Sequence, residues 1–171
     1  MLGRPEPNEA ATAFHGYINR ITSDDVVDVL EKQLEETVTF LNGISEEQSL
    51  YRYEAGKWSM RQLLNHLNDS ERIFVFRALW FARGFPDSLP GFDQDTGVAG
   101  AGADGVPWQV QVEEFRAIRQ ATLTFFRNLG DDVWLRSGIA NDSSATVRAI
   151  AYIMAGHVDH HIAILRERYL Q

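Results

Sequence analysis

The sequence predicts an all-α protein, a four-helix bundle formed by a single domain over residues 1–171. Four segments of about five turns each carry apolar residues at helical spacing, and no segment shows convincing strand alternation. The length of 171 residues fits one domain at roughly 150 residues per domain, and no internal repeat is visible.

The first helical segment runs from about Asp24 to Asn42. Ser23 stands where an N-cap is needed, and Asp24 and Asp25 suit the positive end of the dipole. Its stripe is Val27, Leu30, Leu34, Val38 and Leu41, and Gly43 supplies a stop. The second begins after Ser59, where Ser-Met-Arg-Gln matches a capping box, and continues to about Phe81. Leu63, Leu64, Leu67, Phe74 and Ala78 form its buried face. The third starts near Pro107, a good first-turn residue, and ends at Gly130. It carries Trp108, Val112, Phe115, Ile118, Phe126 and Leu129. The fourth starts after Asp142-Ser143-Ser144 and runs to the C-terminus, with Val147, Ile150, Met154, His157, His161 and Ile164 as its stripe.

Between the second and third segments lies a connection from Arg83 to Val106 that holds six glycines, Pro86, Pro90 and four aspartates. Structureless loops this long are uncommon in compact domains. A helix of about 23 residues is about 35 Å long, and this loop is long enough to travel that distance back. Helices two and three would then run parallel, joined by a crossover. The alternative is an unstructured excursion, with Val98 to Gly105 its most mobile part.

Composition narrows the function. Apolar residues make up 44% and charged residues 23%, typical of a globular protein with a real core. Carboxylates outnumber bases 24 to 16, a formal charge of −8, which disfavours nucleic acid and anionic membrane as partners. The absence of cysteine removes disulfides, thiolate catalysis and cysteine-ligated zinc. No apolar run approaches the roughly 18 residues of a spanning helix, and Met1 to Ala10 is polar with no signal-peptide core. The expectation is a cytoplasmic protein acting on a small molecule. Four tryptophans and ten phenylalanines exceed what one small bundle must bury, so a homodimer face is expected.

Three of the five histidines fall in Gly156-His157-Val158-Asp159-His160-His161. His157 and His161, four apart, share a helix face, and that face is the apolar stripe. Burying two imidazoles side by side without a partner is costly, and a divalent metal removes the cost. The best third ligand is His66, at the border of the second segment's buried face. Three histidines with an open position is the pattern of a catalytic site rather than a closed structural one. His160 points about 60° away from His157 and is either a supporting neighbour or exposed. His15 reads as a surface residue.

At this point the residues carry a family pattern. Gly56-Lys57-Trp58-Ser59 opening a helix, then His66-Leu67-Asn68-Asp69-Ser70-Glu71-Arg72, resembles the DinB/YfiT-like superfamily. So do Pro90-Gly91-Phe92-Asp93-Gln94-Asp95 and Gly156-His157-x-x-His160-His161, in matching order from about Pro5 to Tyr169. The resemblance implies a bundle of up-down-down-up topology and a divalent metal, zinc or nickel, held by His66, His157 and His161. Characterised relatives include transferases of low-molecular-weight thiols such as bacillithiol or mycothiol, an isomerase, and proteins described as metal-dependent hydrolases. It therefore implies a metal-dependent thiol S-transferase acting on small electrophiles with an external thiol. The alternatives are a metal-dependent hydrolase or a non-catalytic metal-binding stress-response dimer.

Other residues read more plainly. Trp58 suits a packing anchor at a bundle end rather than its alternative, a substrate contact. Asp69, one turn after His66, is placed either to orient an imidazole or to face solvent. Glu71 and Arg72 are adjacent and so point in different directions. Asp93 and Asp95 lack the rest of a calcium loop and fit local turn hydrogen bonds. Asp159 falls on the outer face.

Overall fold

The four apolar stripes fold into four long helices, and the sequence between them adds elements of its own. In the computed structural model, which describes residues 3–170, the order is α1 (His15–Ile18), α2 (Val26–Asn42), α3 (Met60–Ala82) and α4 (Gln94–Ala101). It continues with α5 (Trp108–Arg127), β1 (Ser137–Ala140), β2 (Ser143–Thr146) and α6 (Val147–Ile164). A π-helical turn, Leu165–Tyr169, extends α6. No helix among the described residues is long and apolar enough to cross a membrane.

The long helices begin and end near their predicted positions, and two caps shift. Asp25, not Ser23, caps α2 by accepting from the Val27 and Asp28 amides, while Ser23 Oγ accepts from the Asp25 amide. The capping box of α3 is present, with Ser59 and Gln62 bonded to each other's backbone amides.

The chain is mostly helical, as expected, but adds one small β-hairpin. β1 and β2 pair antiparallel from Ser137–Thr146 to Ala140–Ser143. Asn141 and Asp142 close the hairpin with φ of 51° and 56°, the left-handed conformation that two-residue hairpin turns demand. Strands of only four residues are too short for alternation to register. The Asp142-Ser143-Ser144 run therefore belongs to this turn and strand, and Thr146 caps α6 by accepting from the Ala149 amide at 3.0 Å.

The connection after α3 is built rather than loose. Asp93 caps α4 through the Thr96 amide at 2.8 Å, and Val98 and Ala103 are buried. Buried Arg61 donates to the carbonyls of Asp104 and Val106 at 2.8 and 3.0 Å, and Gln111 to that of Ala103 at 2.9 Å. The Val98 to Gly105 stretch, expected to be the most mobile part, is thus fastened to α3 and α5.

α2 packs against α5 and α6, and α3 packs against the same two helices. The remaining face of α6 is covered by α1, so residues Ala149 to Val158 are buried without interruption. Gly156 makes the approach of α1 feasible, because a Cβ there would overlap the main chain of Tyr17.

One ion pair lies wholly inside. Arg119 of α5 donates to both oxygens of Glu71 on α3 at 2.7 Å. Its other nitrogen donates to Gln33 Oε1 at 2.8 Å and the Leu30 carbonyl at 3.2 Å, both on α2. Thr122 Oγ1 donates to Glu71 as well. Removing one partner of such a pair strands a desolvated charge. Glu71→Ala is expected to lower stability by about 3–5 kcal/mol in denaturant unfolding, and Glu71→Leu with Arg119→Met to cost far less.

The N-terminal segment is held by Glu9, which pairs with Arg148 and accepts from Thr146 Oγ1 at 2.8 Å. Burial alone would raise the Glu9 pKa. The hydrogen bonds from Arg148, the Glu6 amide and Thr146 outweigh it and hold the carboxyl below 4.5. The stabilisation is complete above that value and disappears as pH falls through the lowered one. The stability difference between wild type and Glu9→Gln is therefore expected to be largest near neutral pH and to close as pH falls below the usual glutamate range, read from thermal unfolding at each pH.

Candidate metal centre

His66 comes from α3, and His157 and His161 come from consecutive turns of α6, so the crossing of these two helices brings all three together. The Nε2 atoms of His66 and His161 each lie 3.1 Å from Nε2 of His157. All three residues are buried.

Hydrogen bonding among themselves does not satisfy this group. A ring nitrogen carries one N–H or one lone pair, so His157 Nε2 makes one good bond and leaves its other neighbour unpaired. Nδ1 of His161 is also buried with no partner. Ligands about 2.0–2.1 Å from one divalent ion, at right to tetrahedral angles, stand about 2.9–3.4 Å apart. The observed separations fall in that range, and an all-nitrogen donor set suits a borderline metal. The three residues therefore fit a divalent ion.

Their protonation states agree. Burial lowers His66 to about 4 and His161 to about 3, and His157 well below the usual 6.5, with neighbouring imidazoles adding to the effect on His157 and His161. Neutral imidazole is the ligating form. Ser70 Oγ lies 3.4 Å from His66 Nδ1, and an N–H on that nitrogen would leave the Nε2 lone pair for the cluster.

The surroundings differ in part from the sequence expectation. Asp69 touches no imidazole and pairs with Arg72 at 3.5 Å. Ser70, four residues after His66, takes the orienting place. Glu71 and Arg72 do diverge, to Arg119 and to Glu114 respectively. Trp58 stands with its ring centroid 5.0 Å from that of His66, at the site rather than only at a bundle end. His160 is half-buried, accepts from Arg20 through Nδ1 at 3.3 Å, and rests edge-on against Tyr17 and His161. Asp159 is exposed yet accepts from Gln33 Nε2 at 2.6 Å. His15 is half-buried rather than on the surface, with Nε2 donating to the carbonyls of Pro7 and Ala10.

A cavity of about 290 Å³ opens beside His66 and His157. Phe14, Tyr17, Ile73, Phe74 and Phe92 wall it, with Ser70, Arg77 and Asn141 among its polar residues. Tyr17 meets His157 edge-on at 5.3 Å, and burial raises its pKa above 10 so that the phenol keeps its proton. Three distant segments build these walls. Leu89 bonds to the hairpin through its amide to the Ile139 carbonyl at 2.9 Å and its carbonyl to the Asn141 amide at 3.1 Å. A Cβ on Gly91 would overlap the Asn141 side chain, so glycine lets the Phe92 loop close on the turn. Periodicity finds none of these wall residues outside α3, and the four-residue spacing from His66 would have found Ser70.

Residues 30–165 match the family model of the DinB superfamily. The chain belongs to the DinB superfamily. Among curated proteins none matches it. Solved structures with a similar fold include the following two. YfiT from Bacillus subtilis, described as a probable metal-dependent hydrolase with an unusual four-helix bundle topology, has a TM-score of 0.72 at 18% identity. That match covers 96% of this chain and 91% of YfiT. A mycothiol-dependent maleylpyruvate isomerase has a TM-score of 0.69 at 9% identity, over 85% of this chain and 61% of that one.

Protein purified without chelator is expected to carry about one divalent ion per chain. His157→Ala or His161→Ala should remove it and His66→Ala should weaken it, whereas His15→Ala should leave the content unchanged. Elemental analysis of the four variants decides the assignment.

Proposed function

We propose that His66, His157 and His161 hold a divalent ion, zinc or nickel, and that the protein transfers an external low-molecular-weight thiol to a small electrophile. The observation that carries this is the position of two of the histidines in the wall of a 290 Å³ cavity. An ion held there keeps a coordination position facing the cavity, as catalytic sites do and closed structural sites do not.

When bound, the ion supplies Lewis acidity and lowers the pKa of a thiol or water so that an anion exists near neutral pH. The chain's own residues do the rest. Ser70 fixes the His66 ring, and Tyr17 and Phe74 pack edge-on against His157. The aromatic walls exclude water from the reacting sulfur. The sequence holds no cysteine, so the nucleophilic sulfur is a co-substrate's. Its C–S bond forms as the electrophile's bond to a halide or epoxide oxygen breaks. The leaving group takes the electron pair, and the thiol proton passes to solvent or to the opened oxygen.

Metal-dependent hydrolysis is the second reading, favoured by the description of YfiT as a probable hydrolase. The same family likeness supports an up-down-down-up path, in which the segment between α3 and α5 returns the chain along the bundle.

The test offers epoxides and chloroaromatics with each of several small thiols to the metal-loaded protein and to His161→Ala. Thiol-dependent turnover that vanishes in the variant is the expected result. Metal-dependent turnover with water alone would transfer the conclusion to hydrolysis. No turnover with any thiol, with a stable dimer and no exchangeable water on the metal, would favour a non-catalytic protein.

A further inference from the structure

Arg77 is the unexplained charge of the cavity. It stands eleven positions after His66 on α3, a shift of about 20° around the helix, so Ser70, Ile73, Phe74 and Arg77 continue the face that His66 begins. All five line the same cavity. The Arg77 side chain is half-buried and donates once, from Nη2 to the Pro90 carbonyl at 3.1 Å. A guanidinium has five donors. Asp93, which also lines the cavity, accepts from the Thr96 amide as the cap of α4. Arg77 forms no ion pair with any carboxylate among the described residues. Burial alone perturbs it, lowering its pKa, with no neighbouring charge compensating. A partly desolvated cation without a counter-ion costs stability unless a ligand supplies the anion.

We infer that the cavity takes a small molecule with a carboxylate at one end, bound by Arg77, an apolar middle against Phe74 and Phe92, and its reacting end at the histidines. Arg77 and His66 are separated by about 16 Å of helix rise, and arginine side chains lean back toward the N-terminus. A ligand that reaches both is thus on the order of 10 Å long. The planar fork of arginine selects carboxylate by paired hydrogen bonds. The inference rests on reading the cavity as a substrate site, and it concerns the anchor rather than the reaction. The carboxylate belongs either to the electrophile or to the thiol.

Calorimetric binding separates these cases and is independent of turnover. The probes are 4-phenylbutyrate and its neutral amide, and N-acetylcysteine and its neutral amide. Each is titrated into wild type, Arg77→Met and Arg77→Lys, metal-loaded and metal-free, with thermal unfolding as the check on folding. At least one carboxylate is expected to bind about tenfold or more tightly than its amide in wild type. The preference should vanish in Arg77→Met, weaken without vanishing in Arg77→Lys, and survive metal removal. Dependence on Arg77 for 4-phenylbutyrate assigns the anchor to the acceptor, and dependence for N-acetylcysteine alone assigns it to the thiol. Equal binding of acid and amide, or no binding of either acid, overturns the inference. So does a preference that is lost with the metal but kept in Arg77→Met, which places the carboxylate on the ion. If Arg77→Met fails to fold, a carboxylate preference weakened in Arg77→Lys supports the paired hydrogen bonds, an undiminished one overturns them, and one absent from wild type refutes the anchor. Loss of metal affinity in the histidine variants with an intact Arg77-dependent preference would separate failure of the metal reading from failure of this one.

Discussion

Enclosure of α6 is the constraint from which the other features follow. A helix buried on nearly every side needs cover from all directions, and α2, α3 and the short α1 supply it. Such a helix is ordinarily apolar all round. α6 carries His157 and His161 inside that cover, so the same burial that stabilises the bundle removes water from two imidazoles. The third imidazole, His66, arrives because α3 is one of the covering helices. Site and core are the same contact.

The interior therefore holds two polar clusters with different solutions. Around Arg119 the donors and acceptors close on one another: guanidinium, carboxylate, amide and carbonyl each find a partner across α2, α3 and α5. Around His157 they do not close, since three ring nitrogens converge and His161 Nδ1 has no partner. Internally satisfied polar networks serve architecture, and unsatisfied ones ask for something from outside. The contrast within one molecule separates the structural cluster from the candidate site without appeal to any relative.

Distance along the chain explains the cavity. Its walls come from the N-terminal segment, α3, the Phe92 loop and the hairpin turn at Asn141. All but α3 are short or irregular, and each of those is fixed by a specific device. Glu9 ties the N-terminal segment to α6 and β2, Leu89 stitches the loop to the hairpin, and glycine at 91 and 156 permits two close approaches. A rigid bundle with a wall of connecting segments is a common way to place variable recognition beside constant chemistry.

The four long helices were legible in the sequence because each presents a repeated apolar stripe, and repetition over five turns outweighs any single residue. The pairing of His157 with His161 was legible for the same reason, since four-residue spacing is local geometry. His66 was singled out from its place on a buried face, and the tertiary structure alone brought it to the other two. The hairpin, α1 and α4 left no comparable signal: elements of four to eight residues are too short for periodicity to stand above composition. Which neighbour supports His66 was settled by a choice between adjacent residues, Asp69 and Ser70. A helix rotates by about 100° per residue, so only one of them meets the imidazole. Local sequence thus determined which faces are apolar and which histidines share one. Packing decided what those faces enclose, because contacts between residues far apart in sequence are set by how helices cross and where the chain returns.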